Sequence, residues 1–340
     1  MSDRTDAARR AKALPRSARR KGPLNRLPPE TGVAVVLIIA VLYLSFTQPY
    51  FLQRDNFRLI AKQSAEIGIL ATGMTYIIAT GGIDISVGSV VGLCSLVLGA
   101  LSVVLGWSLW ISIIVCLGVG AACGLINGLL IARVGMPSII ATLAMYAAAR
   151  AGALLVHSGG HISNIPTDLV NFAQTDFAGV PSVAWIAIIV AVSGAVILRR
   201  TNAGRLVLAL GGNREASRMS GVNVKLVEML IYTAVGMLAG LAAVITTARA
   251  ATAEPNAGTT YEIQAITAVV LGGTPITGGR ATILGTILGV ITVTVLRDGV
   301  ALAGQDANMQ QLIIGVALLI AVEVERWRLR QAAASIEVAA

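Results

Sequence analysis

Long apolar runs separated by short polar segments recur along the whole chain. A helix needs about 20 apolar residues to cross the hydrocarbon core of a bilayer, and we count about ten stretches of this kind. Seven are clear, namely 33–47, 59–79, 86–105, 110–132, 139–156, 183–198 and 227–247; three are less clear, namely 263–271, 281–296 and 312–324. The pattern predicts an all-α, polytopic membrane protein with about ten transmembrane helices.

The polar segments alternate in charge. Residues 1–30 hold nine Lys or Arg against three acids, and 199–225 hold six against one, whereas 157–182 and 250–262 hold acids and no Lys or Arg. Because cytoplasmic loops carry the excess of Lys and Arg, we expect both termini in the cytoplasm and 250–262 outside.

This topology divides the chain into three parts. They are a basic cytoplasmic tail (1–30), a transmembrane domain (31–326, with 199–225 as a cytoplasmic loop) and a C-terminal cytoplasmic tail (327–340).

Composition supports a membrane protein and excludes other classes. Apolar residues make up 56% of the chain and charged residues 13%, too few to cover a soluble fold. The basic tail has no interleaved aromatics and directly precedes an apolar run, which favours a topology signal over nucleic-acid binding. The three cysteines lie in apolar runs and the two histidines lack zinc-site spacing, so no metal site is predicted.

Enzymatic motifs are not found in the sequence. It has no Gly-x-Ser-x-Gly elbow and no paired acids at helical spacing within a span, so no catalytic residue is predicted. A phosphate-binding loop needs a lysine after glycine, and none of the four lysines follows one. If ATP drives this protein, another chain binds it.

A few charged or polar residues fall within or beside the spans, where they are costly. Lys62 and Glu66 have the spacing of an i,i+4 pair. Asp84 either caps the following helix or forms a cation site. Arg150 and Arg249 lie near span ends and can extend to the interface. Asn127 lies mid-span, where its amide either packs across a helix interface or lines a wet path.

Two glycine-rich segments resemble each other. Residues 81–88 (GGIDISVG) and 272–279 (GGTPITGG) share Gly-Gly, Ile, a hydroxyl residue and Gly at an offset of 191 positions. Glycine and proline at membrane depth interrupt helices where the backbone lines a cavity or is covered by protein. We interpret the pair as an internal duplication.

The loop before residue 225 is the most specific local feature. It is polar, predicts a short helix over Arg214–Met219 and breaks at Gly221. It is either a solvated linker or a helix that docks into a cytosolic partner.

Four stretches, of which this loop is one, resemble in sequence and in order along the chain the permeases of ribose-type bacterial ABC sugar importers. They are 80–88, 124–128 continuing to Pro137 and Thr142-Leu143, 211–224, and 271–279, within a match of about residues 55–325. Glu215-Ala216-Ser217 with Gly221 is similar to the Glu-Ala-Ala and glycine pattern of loops that engage the ATPase. Ala144 departs from the family, which often has Gly there, and the basic tail is longer than expected.

The resemblance implies the permease subunit of an importer for a monosaccharide or sugar-like solute, in a bacterial cytoplasmic membrane. Its partners would be an ABC ATP-binding subunit that holds ATP and Mg, a periplasmic or lipoprotein sugar-binding protein, and a second permease copy as a homodimer. This chain would bind no cofactor. The implied ATPase-coupling residues are Asn213, Arg214, Glu215, Ala216, Ser217, Arg218 and Gly221. The implied path or gate residues are Gly81, Gly82, Asp84, Ser86, Asn127, Gly272, Gly273, Thr274 and Thr277.

Two other classes compete with this interpretation. An ion-coupled secondary transporter of a small polar solute would need titratable groups at the membrane midplane, and we find no acids near span centres. An assembly subunit that transports nothing is the third hypothesis. The sequence leaves the substrate open among pentoses, hexoses, sugar-like signals and polyols.

Overall fold

The computed structural model describes residues 30–158 and 160–337, with side chains described up to residue 323. The predicted basic tail therefore lies almost wholly outside the described residues. The predicted C-terminal tail (327–340) is described as far as Glu337, and a helix continues through residue 326 to Glu337.

The described residues fold almost entirely into α-helices, which confirms the all-α class. Two-residue strands β1 (Asp176–Phe177) and β2 (Val180–Pro181) form a small antiparallel hairpin. The helices are α1 (Glu30–Thr47), α2 (Arg54–Ala79), α3 (Val87–Gly99), α4 (Leu109–Leu129), α5 (Ser138–Val156), α6 (Thr167–Gln174), α7 (Ser182–Arg200), α8 (Asn202–Gly212), α9 (Arg214–Met219), α10 (Val224–Ala250), α11 (Tyr261–Leu271), α12 (Ile283–Leu302) and α13 (Ala307–Glu337). Helices α3 and α4 continue into π-helical turns, Ala100–Val104 and Leu130–Val134.

Among the described residues, seven helices are long and apolar enough to cross a membrane: α1, α3, α4, α5, α7, α10 and α12. Helix α11 and the first part of α13 are shorter apolar helices. Helix α2 is long but carries five charged residues in its first half. Each of the ten predicted apolar stretches is helical over most of its length, and the seven suitable helices make this a multi-pass membrane protein.

Helices α2 and α10 form the centre of the bundle. The second half of α2 is almost completely buried, and α10 packs closely against α4. Glycines allow this approach, because a Cβ on Gly128 of α4 would lie 2.8 Å from Met229 Cα, and a Cβ on Gly240 of α10 would lie 3.0 Å from Cys116 O. Small residues at helix interfaces let backbones approach closely in membranes.

The segment between α10 and α11 folds back along α3. Ala251 adopts a left-handed φ of 55° and ends α10. Ala253 then pairs with Ile162, through N–H···O distances of 2.8 and 2.9 Å. Further on, a Cβ on Gly92 of α3 would lie 2.5 Å from Pro255 O. Glycines on α3 therefore leave room for the segment to pack against the bundle, and its predicted position outside the membrane stays a prediction.

The two glycine-rich segments end a helix in the same way. Their equivalent backbone positions differ by one residue from the positions that the sequence match pairs. The N–H of Gly82 donates to Ile77 O (3.0 Å), and the N–H of Thr274 donates to Val269 O (3.2 Å), the six-residue closure of a Schellman motif. The left-handed glycine is Gly81 (φ 81°) in the first segment and Gly273 (φ 90°) in the second. The backbones therefore correspond at an offset of 192, because helix termination sets the register.

Candidate functional site

The short helix predicted in the polar loop is present and has defined ends. Asn213 precedes α9, and its Oδ1 accepts from the N–H of Ala216 at 2.9 Å, a side-chain N-cap. Gly221 follows α9 with φ of 84°, a conformation that favours glycine. The sequence prediction of this helix and its break is confirmed.

Helix α9 shows one face to solvent and fixes the other to the bundle. Glu215 is 67% exposed and pairs with Arg218 at 2.8 Å, and Met219 is 79% exposed. Ser217 is buried, and its hydroxyl donates to Asn213 O. Arg214 forms a two-pronged ion pair with Glu228 of α10, with Nη2 donating to Oε2 at 2.9 Å. Ala216 lies on the exposed side.

Both glycine-rich segments meet the end of α8 immediately before α9. The N–H of Gly279 donates to Ala79 O at the end of α2, at 2.9 Å. Gly211 of α8 lies against the same carbonyl and against Gly279 N, with no room for a side chain. The structure thus brings the predicted coupling loop and the two predicted gate segments together at one end of the bundle.

The first segment is held by buried hydrogen bonds. Asp84 Oδ1 accepts from both the N–H (2.8 Å) and the hydroxyl (2.6 Å) of Ser86, which N-caps α3. Asn127 Nδ2 of α4 donates to Ser86 Oγ at 2.9 Å. The N–H groups of Ile83 and Ile85 donate to hydroxyls of α5. Burial raises the pKa of the Asp84 carboxyl above its ordinary value, while the Ser86 hydrogen bonds act in the opposite direction.

These contacts match one of the two alternatives for Asp84 and for Asn127. Asp84 accepts a backbone amide at a helix start, as a capping acid does, and Asn127 packs across a helix interface. Asp84, Ser86 and Asn127 are buried inside this chain, whereas Gly81 is exposed and Gly82 half-buried.

In the second segment, Gly272 and Thr274 are buried, Gly273 is half-buried and Thr277 is exposed. The Thr274 hydroxyl has no hydrogen-bond partner among the described residues. Gly272 packs against the backbone of Gly285 in α12, where a Cβ would collide. Whether these residues gate a path stays a prediction.

A cavity of about 270 Å³ lies between the first segment, the start of α5 and the ion pair of α9. Its walls include Gly81, Gly82, Ser138, Arg214, Glu228 and Tyr232. The buried Tyr232 hydroxyl has no hydrogen-bond partner within the described part of the chain. The cavity therefore joins the predicted coupling residue Arg214 to the predicted gate glycines.

The predicted Lys62–Glu66 pair is wrong. The Glu66 carboxylate instead accepts hydrogen bonds from Arg249 Nε at 2.5 Å and from the hydroxyl of Tyr261. This one carboxylate therefore joins α2, α10 and α11. Lys62 Nζ donates to Gln174 Oε1 at 2.7 Å. The partners of Glu66 lie 183 and 195 residues away, so local spacing could not reveal them.

Arg150 contacts the segment that follows α10. Its Nη1 donates to Pro255 O at 2.5 Å and its Nη2 to Thr259 Oγ1 at 3.3 Å, and its guanidinium lies 5.8 Å from the centroid of the Tyr146 ring. This arginine was not among the predicted site residues. Its position within an apolar helix was the available signal.

No group of three or more His, Cys, Asp or Glu residues that could hold a metal ion occurs among the described residues.

The sequence matches a known family and several known proteins over most of its length. The family described as "Branched-chain amino acid transport system / permease component" matches residues 56–322. The chain is 38% identical over 307 residues to the ribose import permease protein RbsC of Bacillus subtilis (strain 168), covering 90% of this chain and 94% of that protein. It is 36% identical to the RbsC protein of Escherichia coli (strain K12), covering 86% and 92%.

A third relative is the fructose import permease protein FrcC of Rhizobium meliloti. It is 35% identical over 312 residues, covering 89% of this chain and 87% of that protein. The agreement with these relatives spans nearly the whole transmembrane domain.

Proposed function

The chain belongs to the family of branched-chain amino acid transport system permease components, and from this premise we propose that it is the membrane-spanning subunit of an ATP-driven importer for a monosaccharide or sugar-like solute. It is a transport subunit and not an enzyme. ATP and Mg would be bound by a separate subunit, and this chain would bind no cofactor.

The single observation that supports an ATPase partner is α9. It is a capped two-turn helix that exposes Glu215 and Met219, and Arg214 pins it to the transmembrane helix α10. A solvated linker would need neither a cap nor an ion pair to a span. An exposed, rigidly held helix suits a docking element that passes movement of a partner into the bundle.

In this mechanism, the ATP-binding subunits approach each other and displace α9. Arg214 and Glu228 carry the displacement into α10, and Gly211 carries it into the two glycine-rich segments. The permease halves then rock between states open to either side. Glu215, Arg218 and Met219 would contact the ATPase directly, and Asn213, Ser217 and Gly221 would hold the helix in shape.

We further propose the remaining assembly. A second copy of this chain would complete the path, and a periplasmic or lipoprotein binding protein would deliver the solute. The positive charge of 199–225 supports a cytoplasmic position for α9 in a bacterial cytoplasmic membrane. With ten crossings, as the sequence predicts, both termini would lie on that same side.

A sugar is the substrate class that the relatives support, since their names specify ribose, fructose and L-arabinose. A neutral solute also needs no fixed countercharge. The family description names branched-chain amino acids instead, so uptake assays should include leucine beside ribose, fructose and arabinose.

The first test is copurification of the tagged chain from native membranes, followed by identification of its partners. We expect a P-loop ATPase in stoichiometric amount. Glu215→Arg should lose the ATPase while the permease still elutes as a folded particle. The matched control is Asp55→Arg, whose acid is 90% exposed at the start of α2.

Recovery of the chain without an ATPase, in detergent that preserves a known ABC complex, would contradict the proposal and favour ion-coupled transport. Retention of the ATPase by Glu215→Arg would show that α9 is not the docking element.

A further inference from the structure

Arg150 lies deep within a membrane-crossing helix. It is twelve residues from Ser138 at the start of α5, about 18 Å along the axis, and six residues from Val156 at the end. A charged side chain at this depth almost always faces the bundle interior or a water-filled cavity. Arg150 is half-buried, and its guanidinium contacts the segment that follows α10.

That segment reaches a similar depth without helical structure. It passes Gly99, Gly92 and Gly88 of α3 in turn, which spans about 16 Å along that helix. Gly258, with φ of 77°, lies against the backbone of Gly88. Backbone without regular hydrogen bonding is tolerated at membrane depth where protein covers it or where it lines a water-filled cavity.

The outer surface of this segment is polar. Glu254, Asn256 and Thr259 are exposed in the single chain, and Asn256 Oδ1 lies 3.5 Å from Arg150 Nη1. Lipid tails offer these groups no hydrogen bonds. The exposed face therefore borders water or a polar solute, unlike the apolar surface of α7.

Two neighbouring features extend this polar face. A cavity of about 290 Å³, lined by Gly160, His161, Glu254, Pro255 and Asn256, opens beside it and is close to the smallest ligand pockets, about 300 Å³. At the start of α11, Glu262 is buried near Gly88, and its Oε2 has no hydrogen-bond partner among the described residues. Polar groups thus continue from the cavity into the bundle.

We propose that the face formed by Arg150 and residues 254–259 lines the water-filled path of the solute, where Asn256 and Thr259 hydrogen-bond to a neutral, polyhydroxylated molecule. The Asn256 amide and the Thr259 hydroxyl both donate and accept, which matches a sugar hydroxyl. Arg150 acts as a positioning residue, because it fixes the segment through Pro255 O. The identity of the solute rests on the proposed function, whereas the position of the path does not.

Cysteine labelling tests the position. Asn256→Cys and Thr259→Cys, placed one at a time in the full chain with its partner subunits, are reacted with a sulfonated, membrane-impermeant maleimide in lipid nanodiscs, which leave both membrane faces open. The control is Ile189→Cys, an exposed apolar position in the middle of α7. The parent chain gives the background of its three buried cysteines.

We expect Asn256→Cys and Thr259→Cys to react at least about tenfold faster than Ile189→Cys, because the thiolate forms only in contact with water. Labelling no faster than that control would overturn the proposal that this face lines the path.

The solute is tested separately. Asn256→Ala should raise the KM for sugar uptake several-fold with the ATPase still bound, and an unchanged KM would overturn the contact. Fast labelling without sugar uptake would refute the sugar assignment and leave the path standing. Slow labelling with normal sugar uptake would refute the path alone.

Discussion

The Arg214 guanidinium and the Glu228 carboxylate form an ion pair that is exposed on one side and buried on the other. The Arg214 side chain is 58% exposed and that of Glu228 only 6%. The two residues are 14 positions apart in sequence, and their ion pair joins α9 to the first turns of α10. Loss of either partner therefore has unequal consequences.

We expect Arg214→Ala to destabilise the permease more than Glu228→Gln. The first leaves a buried carboxylate without its partner, which costs about 3–5 kcal/mol in a fully buried pair and less here, because Arg214 is more than half exposed. The second leaves a guanidinium that water can solvate. Thermal unfolding in detergent measures both, and the double variant Arg214→Ala/Glu228→Gln should recover part of the loss. Equal effects of the two single variants would contradict the prediction.

Tyr261→Phe should lower stability by about 1.5–3 kcal/mol, because it removes a hydroxyl that donates to the buried Glu66 carboxylate. The control is Tyr43→Phe on the exposed surface of α1, which should change little. Denaturant or thermal unfolding of the purified chains gives the comparison. A Tyr261→Phe variant as stable as the control would mean that Glu66 is held by Arg249 alone.

Gly120→Ala should destabilise the bundle, whereas Gly118→Ala on the same helix should leave it unchanged or stabilise it by about 0.5–1 kcal/mol. A methyl group on Gly120 would collide with the carbonyl of Gly236 in α10, but one on Gly118 meets nothing within 4 Å. The two chains are compared by melting temperature. Equal melting temperatures would show that α4 and α10 can separate at no cost.

Gly81→Ala and Gly273→Ala should each lower the free energy of unfolding by about 1–2 kcal/mol, because each glycine adopts a left-handed φ at the end of a helix. Gly212→Ala is the control, since Gly212 lies in α8 with open space around it. Melting temperature and solute uptake are the measurements. A tolerated Gly273→Ala would remove the correspondence between the two segments.

Sequence patterns were sufficient for the elements that local chemistry determines. Apolar runs located ten of the thirteen helices in the described residues, and the Asn213 cap with Gly221 bounded α9. They were insufficient where the partner is distant in the chain. Nothing near Glu66 indicates Arg249, and nothing near Arg150 indicates Pro255.

The packing of segment 251–260 against α3 could not be predicted for a related reason. Its acids and lack of Lys or Arg are typical of an outside loop, and the glycines that accommodate it lie on another helix. The offset of the two glycine-rich segments was one residue wrong, because sequence identity aligned the Gly-Gly pairs and helix termination aligns the backbones.

Helix α10 is a continuous rod of 27 residues, about 40 Å long. Glu228 lies near one end, and residues 251–260 continue directly from the other. A tilt of α10, imposed at the end that contacts α9, would therefore move its other end by a distance proportional to the length of the helix. The helix would act as a lever, so a small stroke of the nucleotide-driven partner could widen or narrow the solute's passage on the opposite side of the membrane.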